Sequence, residues 1–159
     1  MKLQINHIDE LTIREITKWC YEAPYDIYNI GVENLDQLLT FFLDIQNGYY
    51  KVERNNQELI AYCCFGLDGQ VPGGDYSMDA LDIGLGVRPD LTGKGEGGKF
   101  VAEVIDHTWK QFRPAALRVT IAEFNRRAQR VWEKNGFLYH STFKRNLDGK
   151  PFVILTKQK

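Results

Sequence analysis

The densest chemical signal in this chain is Gly93-Lys94-Gly95-Glu96-Gly97-Gly98. It lies between an apolar run, Leu81 to Val87, and an amphipathic run, Phe100 to Phe112. A strand feeding a glycine-rich turn that opens a helix makes an anion site. The turn's N–H groups converge, and the helix N-terminus adds partial positive charge. Glycine lets this backbone approach a bulky phosphate without a Cβ in the way. A phosphate-bearing ligand is the first expectation. Gly93, Gly95 and Gly98 satisfy the dinucleotide spacing G-x-G-x-x-G. The acidic ribose ligand of that fold is missing from the next strand, Ala115-Ala116-Leu117-Arg118-Val119. Gly93, Gly98 and Lys99 fit a P-loop up to its last position, where Phe100 has no hydroxyl for Mg²⁺.

A third pattern fits better. Val87-Arg88-Pro89-Asp90-Leu91-Thr92-Gly93-Lys94-Gly95-Glu96-Gly97 resembles the pyrophosphate-binding segment of the GNAT superfamily, the acyl-CoA-dependent N-acetyltransferases, whose pattern is Q/R-x-x-G-x-G/A after a strand. Gly95 and Gly97 match, while Thr92 stands where the family has Arg or Gln. Further on, Asn125 to Phe137 resembles the family's second CoA-side helix, N-x-x-A-x-x-x-Y-E-K-x-G-F, with Trp132 in place of the tyrosine. Taken alone, that segment is a capped helix. Asn125 suits the N-cap, Gly136 the position after the end, and Ala128, Val131, Trp132 and Asn135 share a face.

The resemblance implies a mixed α/β (α+β) fold, a single GNAT-type domain over residues 1–159. Its central mixed sheet of about seven strands with four helices is splayed. It implies acetyl-CoA as cosubstrate, with no metal. It places the ligand against Leu85, Val87, Thr92, Gly93 and Lys94, then Gly95, Gly97 and Gly98, then Asn125 and Trp132. The acyl arm would enter the splay between the Leu81–Val87 strand and the Leu117–Ile121 strand.

Transfer from a thioester needs positioning, an oxyanion donor and removal of a proton. A free N–H at the end of the Leu81–Val87 strand suits the oxyanion. Gly84 and Gly86 in that strand mark either a close ligand approach or relief of crowding. An amine with a pKa of ~10.4 arrives protonated. By position Asp82 is the candidate base, against the alternative of a structural ion pair, with Asp79 and Glu22 in reserve. Trp132 cannot deliver a proton to the departing thiolate, which leaves Tyr139, Tyr76 or water. Trp19, Tyr21, Glu22, Tyr25, Asp26, Tyr28 and Asn29 cluster in one loop. Aromatic walls with carboxylates suit a cationic amine, and the same residues would equally anchor the loop to the core.

These groups need a frame, and the hydrophobic pattern supplies one. Leu3 to Ile8 alternates as a strand. A helix follows with Leu11, Ile16 and Trp19, then a second with Leu35, Leu38, Leu39, Phe42 and Ile45, closed by Gly48. Tyr49–Glu53 and Glu58–Leu67 form a hairpin across Asn55-Asn56. Phe137–Phe143 and Pro151–Thr156 form another across Asp148-Gly149. With 159 residues and 43% hydrophobic content, the chain can bury a core. A net charge of −1 gives no global pull toward nucleic acid or membrane. The local cluster Arg126, Arg127, Arg130 is a solvated helix face or a contact for ligand phosphates. No signal peptide or transmembrane run is read. The three cysteines, Cys20, Cys63 and Cys64, form no disulfide framework, which suits a reducing cytoplasm. The expected partner is a small-molecule or peptide amine, and monomer and homodimer both stay open. A CoA-binding sensor without turnover and a nucleotide-binding domain are the alternatives.

Overall fold

A computed structural model describes residues 2–55 and 57–159. The strands are β1 (Gln4–His7), β2 (Tyr49–Arg54), β3 (Glu58–Phe65), β4 (Leu81–Val87), β5 (Ala116–Ala122), β6 (Leu138–Lys144) and β7 (Pro151–Gln158). The helices are α1 (Glu10–Ile16), α2 (Leu35–Leu43), α3 (Gly97–Phe112) and α4 (Arg126–Lys134). The strands form one seven-stranded mixed sheet in the order β1-β2-β3-β4-β5-β7-β6. The two core clusters divide the helices. One gathers Ile13, Ile16, Leu39 and Phe42 of α1 and α2. The other gathers Phe100, Val101, Val104 and Trp132 of α3 and α4. Among the described residues no helix is long and apolar enough to cross a membrane.

Local signals place most of these elements. Asp9 caps α1 by accepting from the Thr12 N–H at 2.8 Å, and Asn125 caps α4 by accepting from the Ala128 N–H at 3.0 Å. Such caps satisfy N–H groups that a helix start leaves open. Trp19, expected on the first helix, falls beyond its end at Ile16, and Leu11 faces solvent. Gly48 closes the one-turn 3-10 helix Ile45–Asn47 rather than α2. Helix α3 begins at Gly97, ahead of the apolar periodicity that starts at Phe100, because glycine carries no hydrophobic signal. The Asp148-Gly149 turn is present, with the Gly149 N–H donating to the Arg145 carbonyl at 2.8 Å. Of the expected Asn55-Asn56 turn, Asn56 lies outside the described residues.

The sheet forks in its middle. Strands β4 and β5 run parallel but pair only through Leu81↔Leu117 and Asp82↔Arg118. Beyond that rung β4 stays with β3, from Phe65↔Ile83 to Ala61↔Val87, while β5 stays with β7 along its whole length. The backbone directions follow. The Asp82 carbonyl accepts from the Gly66 N–H at 2.9 Å, and the Arg88 N–H donates to the Ile60 carbonyl at 2.8 Å, so even-numbered residues turn their peptide groups toward β3. Alternation along a strand then turns those of Leu85 and Val87 into the fork. These half-buried groups face an opening rather than a neighbouring strand, and the Val87 carbonyl there accepts from the Tyr21 hydroxyl.

Candidate functional site

The fork opens into a cavity of about 520 Å³ that runs from β4 and β5 to the starts of α3 and α4. Leu85 and Val87 line its β4 wall. Thr92, Gly93, Gly95, Gly97 and Gly98 line the turn, and Asn125 and Trp132 the α4 side. Lys94, expected among the ligand residues, is exposed and does not line it.

The turn has the features an anion needs. Gly93 and Gly95 sit in the left-handed region, at φ 70° and 80°, where side chains are strained. Helix α3 has no side-chain cap and no acidic residue in its first turn. The N–H groups of Lys99 and Phe100 fold back onto the Glu96 carbonyl, and those of Gly97 and Gly98 precede the first such bond. Gly97 and Gly98 have ordinary helical backbone. A Cβ on Gly98 would meet nothing within 4 Å, and one on Gly97 would only touch Val131 at 3.6 Å. The fold itself does not require glycine at these two positions, although glycine costs a helix about 1 kcal/mol against alanine. A bulky group resting on the backbone would require it.

The Thr92 hydroxyl donates to the Pro89 carbonyl at 2.8 Å and is spent on the turn itself. Arg127 supplies a guanidinium at the same place. Its Nη1 lies 2.9 Å from where a Cβ on Gly93 would stand, and its planar head rests on the Tyr25 ring, 4.4 Å from the centroid. Arg126 and Arg130 are exposed and line nothing. Of the three-arginine cluster, one member reaches the site.

Asp82 stands elsewhere. It and Arg118 are each only 3% exposed. Arg118 Nε donates to one carboxylate oxygen at 2.6 Å and Nη2 to the other at 2.8 Å. Gln70 adds a bond at 2.9 Å, and the second guanidinium arm reaches the Met78 carbonyl at 2.9 Å. Asp82 does not line the cavity. This geometry counts against Asp82 as proton acceptor and gives it the role of a tie across the last rung of the fork. The reserves, Asp79 and Glu22, are exposed and line nothing either. Among the described residues no aspartate, glutamate or histidine borders the cavity, and no cluster of His, Cys, Asp and Glu could hold a metal ion.

Tyrosines take that space. A Cβ on Gly86 would stand 2.5 Å from the Tyr62 ring, and one on Gly84 would stand 2.7 Å from the Cys64 sulfur. The register explains this, since Tyr62↔Gly86 and Cys64↔Gly84 are direct cross-strand pairs. The β4 glycines thus relieve crowding and seat Tyr62 in the cavity wall. No protein partner for the Tyr62 hydroxyl is found among the described residues, and burial, with Cys64 beside it, raises its pKa to about 12. Tyr21 donates its hydroxyl to the Val87 carbonyl at 2.7 Å, and burial pushes its pKa well up. At the loop's other end the Asn125 amide donates to Tyr28 Oη at 3.2 Å. The loop between α1 and α2 is therefore tied to both sides of the fork.

The other candidate proton donors are engaged. Tyr139 is exposed on β6 beside Thr142. Tyr76 accepts from the Val71 N–H at 2.8 Å and shares a proton with Thr120 at 2.9 Å. Trp132 is buried edge-on against Phe137, with ring centroids 5.0 Å apart. Tyr62 and Lys134 border the cavity without having been selected from the sequence, and Arg127 was selected only as one of three arginines. Cross-strand register and a turn-to-helix approach carry no sequence signal, although Arg127 was visible as part of a basic cluster.

Comparison with known proteins agrees with this geometry. The Acetyltransferase (GNAT) domain family matches residues 4–138. No curated protein matches the sequence significantly. Among solved structures, a spermidine N-acetyltransferase chimera of Vibrio cholerae SpeG and hSSAT is similar, with 16% identity and a TM-score of 0.77 over 99% of this chain and 96% of that one. AAC(6')-Ib in complex with ribostamycin and coenzyme A is similar at 19% identity and a TM-score of 0.77, over 100% of this chain and 94% of its own. Campylobacter jejuni N-acetyltransferase PseH is similar at 16% identity and a TM-score of 0.70, over 100% and 99%. With the domain match spanning most of its length, a sheet forked beside an uncapped glycine-rich helix start is what membership looks like here: the chain belongs to the GNAT acetyltransferase family.

Proposed function

We propose that this enzyme transfers the acetyl group of acetyl-CoA to a primary amine by direct attack in a ternary complex. The observation that carries this reading is the fork after Asp82↔Arg118, opening beside the uncapped start of α3. The residues fit the ligand. The N–H groups of Gly97 and Gly98 face a space that no Cβ fills, and Arg127 adds positive charge beside Gly93. The backbone edge of Leu85, with the Val87 N–H, faces the fork and suits an extended amide-containing arm as a strand suits its neighbour, while the Val87 carbonyl is held by Tyr21. The thioester, when bound, supplies an activated acyl group that needs no metal. Holding two reactants together can contribute roughly 7–11 kcal/mol in favourable cases. The experiment is thiol release from acetyl-CoA against an amine panel. Saturable binding of acetyl-CoA with no thiol release from any amine would favour a CoA-binding module, a reading helped by the fact that no carboxylate borders the cavity among the described residues.

With no carboxylate or histidine bordering the cavity among the described residues, the acceptor's proton leaves to water. Only the neutral amine reacts, so kcat/KM should rise about tenfold per pH unit until the amine's own pKa, ~10.4 for a lysine-like acceptor. A plateau beginning below about pH 7 would show an ionising protein group and defeat the solvent route.

Among the proton-bearing groups that line the cavity, Tyr62, seated opposite Gly86 on the β3–β4 wall of the fork, is our candidate to meet the departing thiolate. Its pKa of about 12 makes full transfer uphill against a thiol's ~8.5, so it acts as a hydrogen-bond donor while water supplies the proton. A hydrogen bond to a charged group contributes about 1.5–3 kcal/mol, so Tyr62→Phe should lower kcat roughly ten- to hundredfold. The KM for acetyl-CoA should change little. Unaltered kcat in the folded variant would remove Tyr62 from the chemistry.

A further inference from the structure

Among the described residues, the charged side chains bordering the cavity are Arg127 and Lys134, both cationic. Its other polar side chains near the fork are uncharged: the phenols Tyr21, Tyr25, Tyr28 and Tyr62, with Thr120 and Asn125 beside them. Glu22 and Asp26 share the loop with these tyrosines, but both are exposed and border nothing in the cavity. Asp82, the nearest buried carboxylate, has both oxygens bonded to Arg118.

This arrangement discriminates between acceptors. The attacking amine is neutral at the moment of reaction and needs no counter-charge. Any second ammonium on the same molecule stays charged, and a charge removed from water without a partner is strongly disfavoured. Tyrosine faces attract cations, but the Tyr25 face already carries Arg127 at 4.4 Å, which repels a further cation. The Tyr25 and Tyr28 rings pack against Phe124, with centroids 5.7 Å and 6.4 Å away, and Trp19 backs Tyr62 at 5.9 Å. These rings are braced, flat and uncharged, which suits stacking with another flat apolar body.

We propose that the acceptor is a monoamine with an uncharged aromatic body rather than a polyamine, an inference that rests on the acetyltransferase reading above. It separates this site from the spermidine-acting and aminoglycoside-bound neighbours, whose fold the chain shares.

Three amines test it with acetyl-CoA: hexylamine, hexamethylenediamine and phenethylamine. The first pair differs in charge number at equal length, the outer pair in shape at equal charge. Hexylamine should exceed hexamethylenediamine in kcat/KM by at least roughly tenfold, about 1.4 kcal/mol, with phenethylamine above both. Tyr28→Glu, on a half-exposed loop residue, should narrow or reverse the gap between hexylamine and the diamine. Equal or better turnover of the diamine by the unaltered enzyme would overturn the proposal, as would hexylamine exceeding phenethylamine. The same ranking is read by calorimetry on CoA-loaded protein, which needs no turnover. If acetyl-CoA binds and no amine reacts, the transfer reading fails; a calorimetric order with the diamine equal to or tighter than hexylamine overturns the amine preference by itself.

Discussion

Arg118→Met is expected to destabilise the protein by about 3–5 kcal/mol, because it leaves the Asp82 carboxylate in the interior without its partner. Both side chains are 3% exposed, and they meet through two bonds of 2.6 and 2.8 Å. Only Gln70 would remain to Asp82. The same physics predicts a partial rescue. Replacing both residues, as Asp82→Leu with Arg118→Met, removes the stranded charge and should recover most of the loss, since apolar replacements of buried ion pairs are often neutral. Urea unfolding of the two variants checks this. A loss below about 1 kcal/mol in Arg118→Met would mean the pair is solvated like a surface bridge. The pair has a functional consequence as well, because it ties the last rung before the sheet opens. In the rescued double variant the fork lacks its polar tie, so the KM for acetyl-CoA should rise even where stability returns. An Asp82→Asn variant that folds and turns over poorly only in proportion to lost stability would fit the tie. One that keeps full stability yet loses turnover would restore Asp82 to proton transfer.

Gly98→Val is expected to weaken acetyl-CoA binding by roughly 100-fold, about 2.8 kcal/mol, while leaving the protein folded. No atom beyond the adjoining residues and the helix's own backbone lies within 4 Å of the new Cβ, and the backbone there is helical, so the apoprotein tolerates the side chain. The bulk instead occupies the space above the open N–H groups at the start of α3. Gly98→Ala should show the same opposition in milder form, with stability raised by up to about 1 kcal/mol from the helix preference of alanine and affinity lowered. Calorimetry with coenzyme A and a thermal melt separate the two effects. Undiminished affinity in folded Gly98→Val would mean the anion rests elsewhere. Gly95 is a poorer probe, because its φ of 80° strains any substituted side chain regardless of ligand.

The parts that sequence reasoning reached are those that depend on near neighbours in the chain. A cap, a left-handed glycine and an amphipathic period each act within one or two turns. So Asn125, Gly136 and the strand–turn–helix around Gly93 to Gly98 were legible, and with them the family resemblance. Helix starts rich in glycine were legible only in outline, since α3 gains three residues that carry no apolar signal.

The chemistry of the cavity wall depended on distant pairings. Asp82 looked like a base because its strand position suggested one. Whether it titrates or ties depended on Arg118, 36 positions away, arriving opposite it on a parallel strand. Gly86 meant either ligand or crowding until the β3–β4 register set Tyr62 across it. Glu22 and Asp26 sit beside aromatic residues in sequence, yet loop direction leaves the carboxylates in solvent and brings tyrosines to the cavity. The amino-acid sequence alone determined that a strand and a glycine-rich turn lead into a helix start of the kind that suits a phosphate, because the backbone geometry involved is local. Which side chains line the cavity beside it was decided by strand register and the fork of the sheet, because those are set by packing across the whole core.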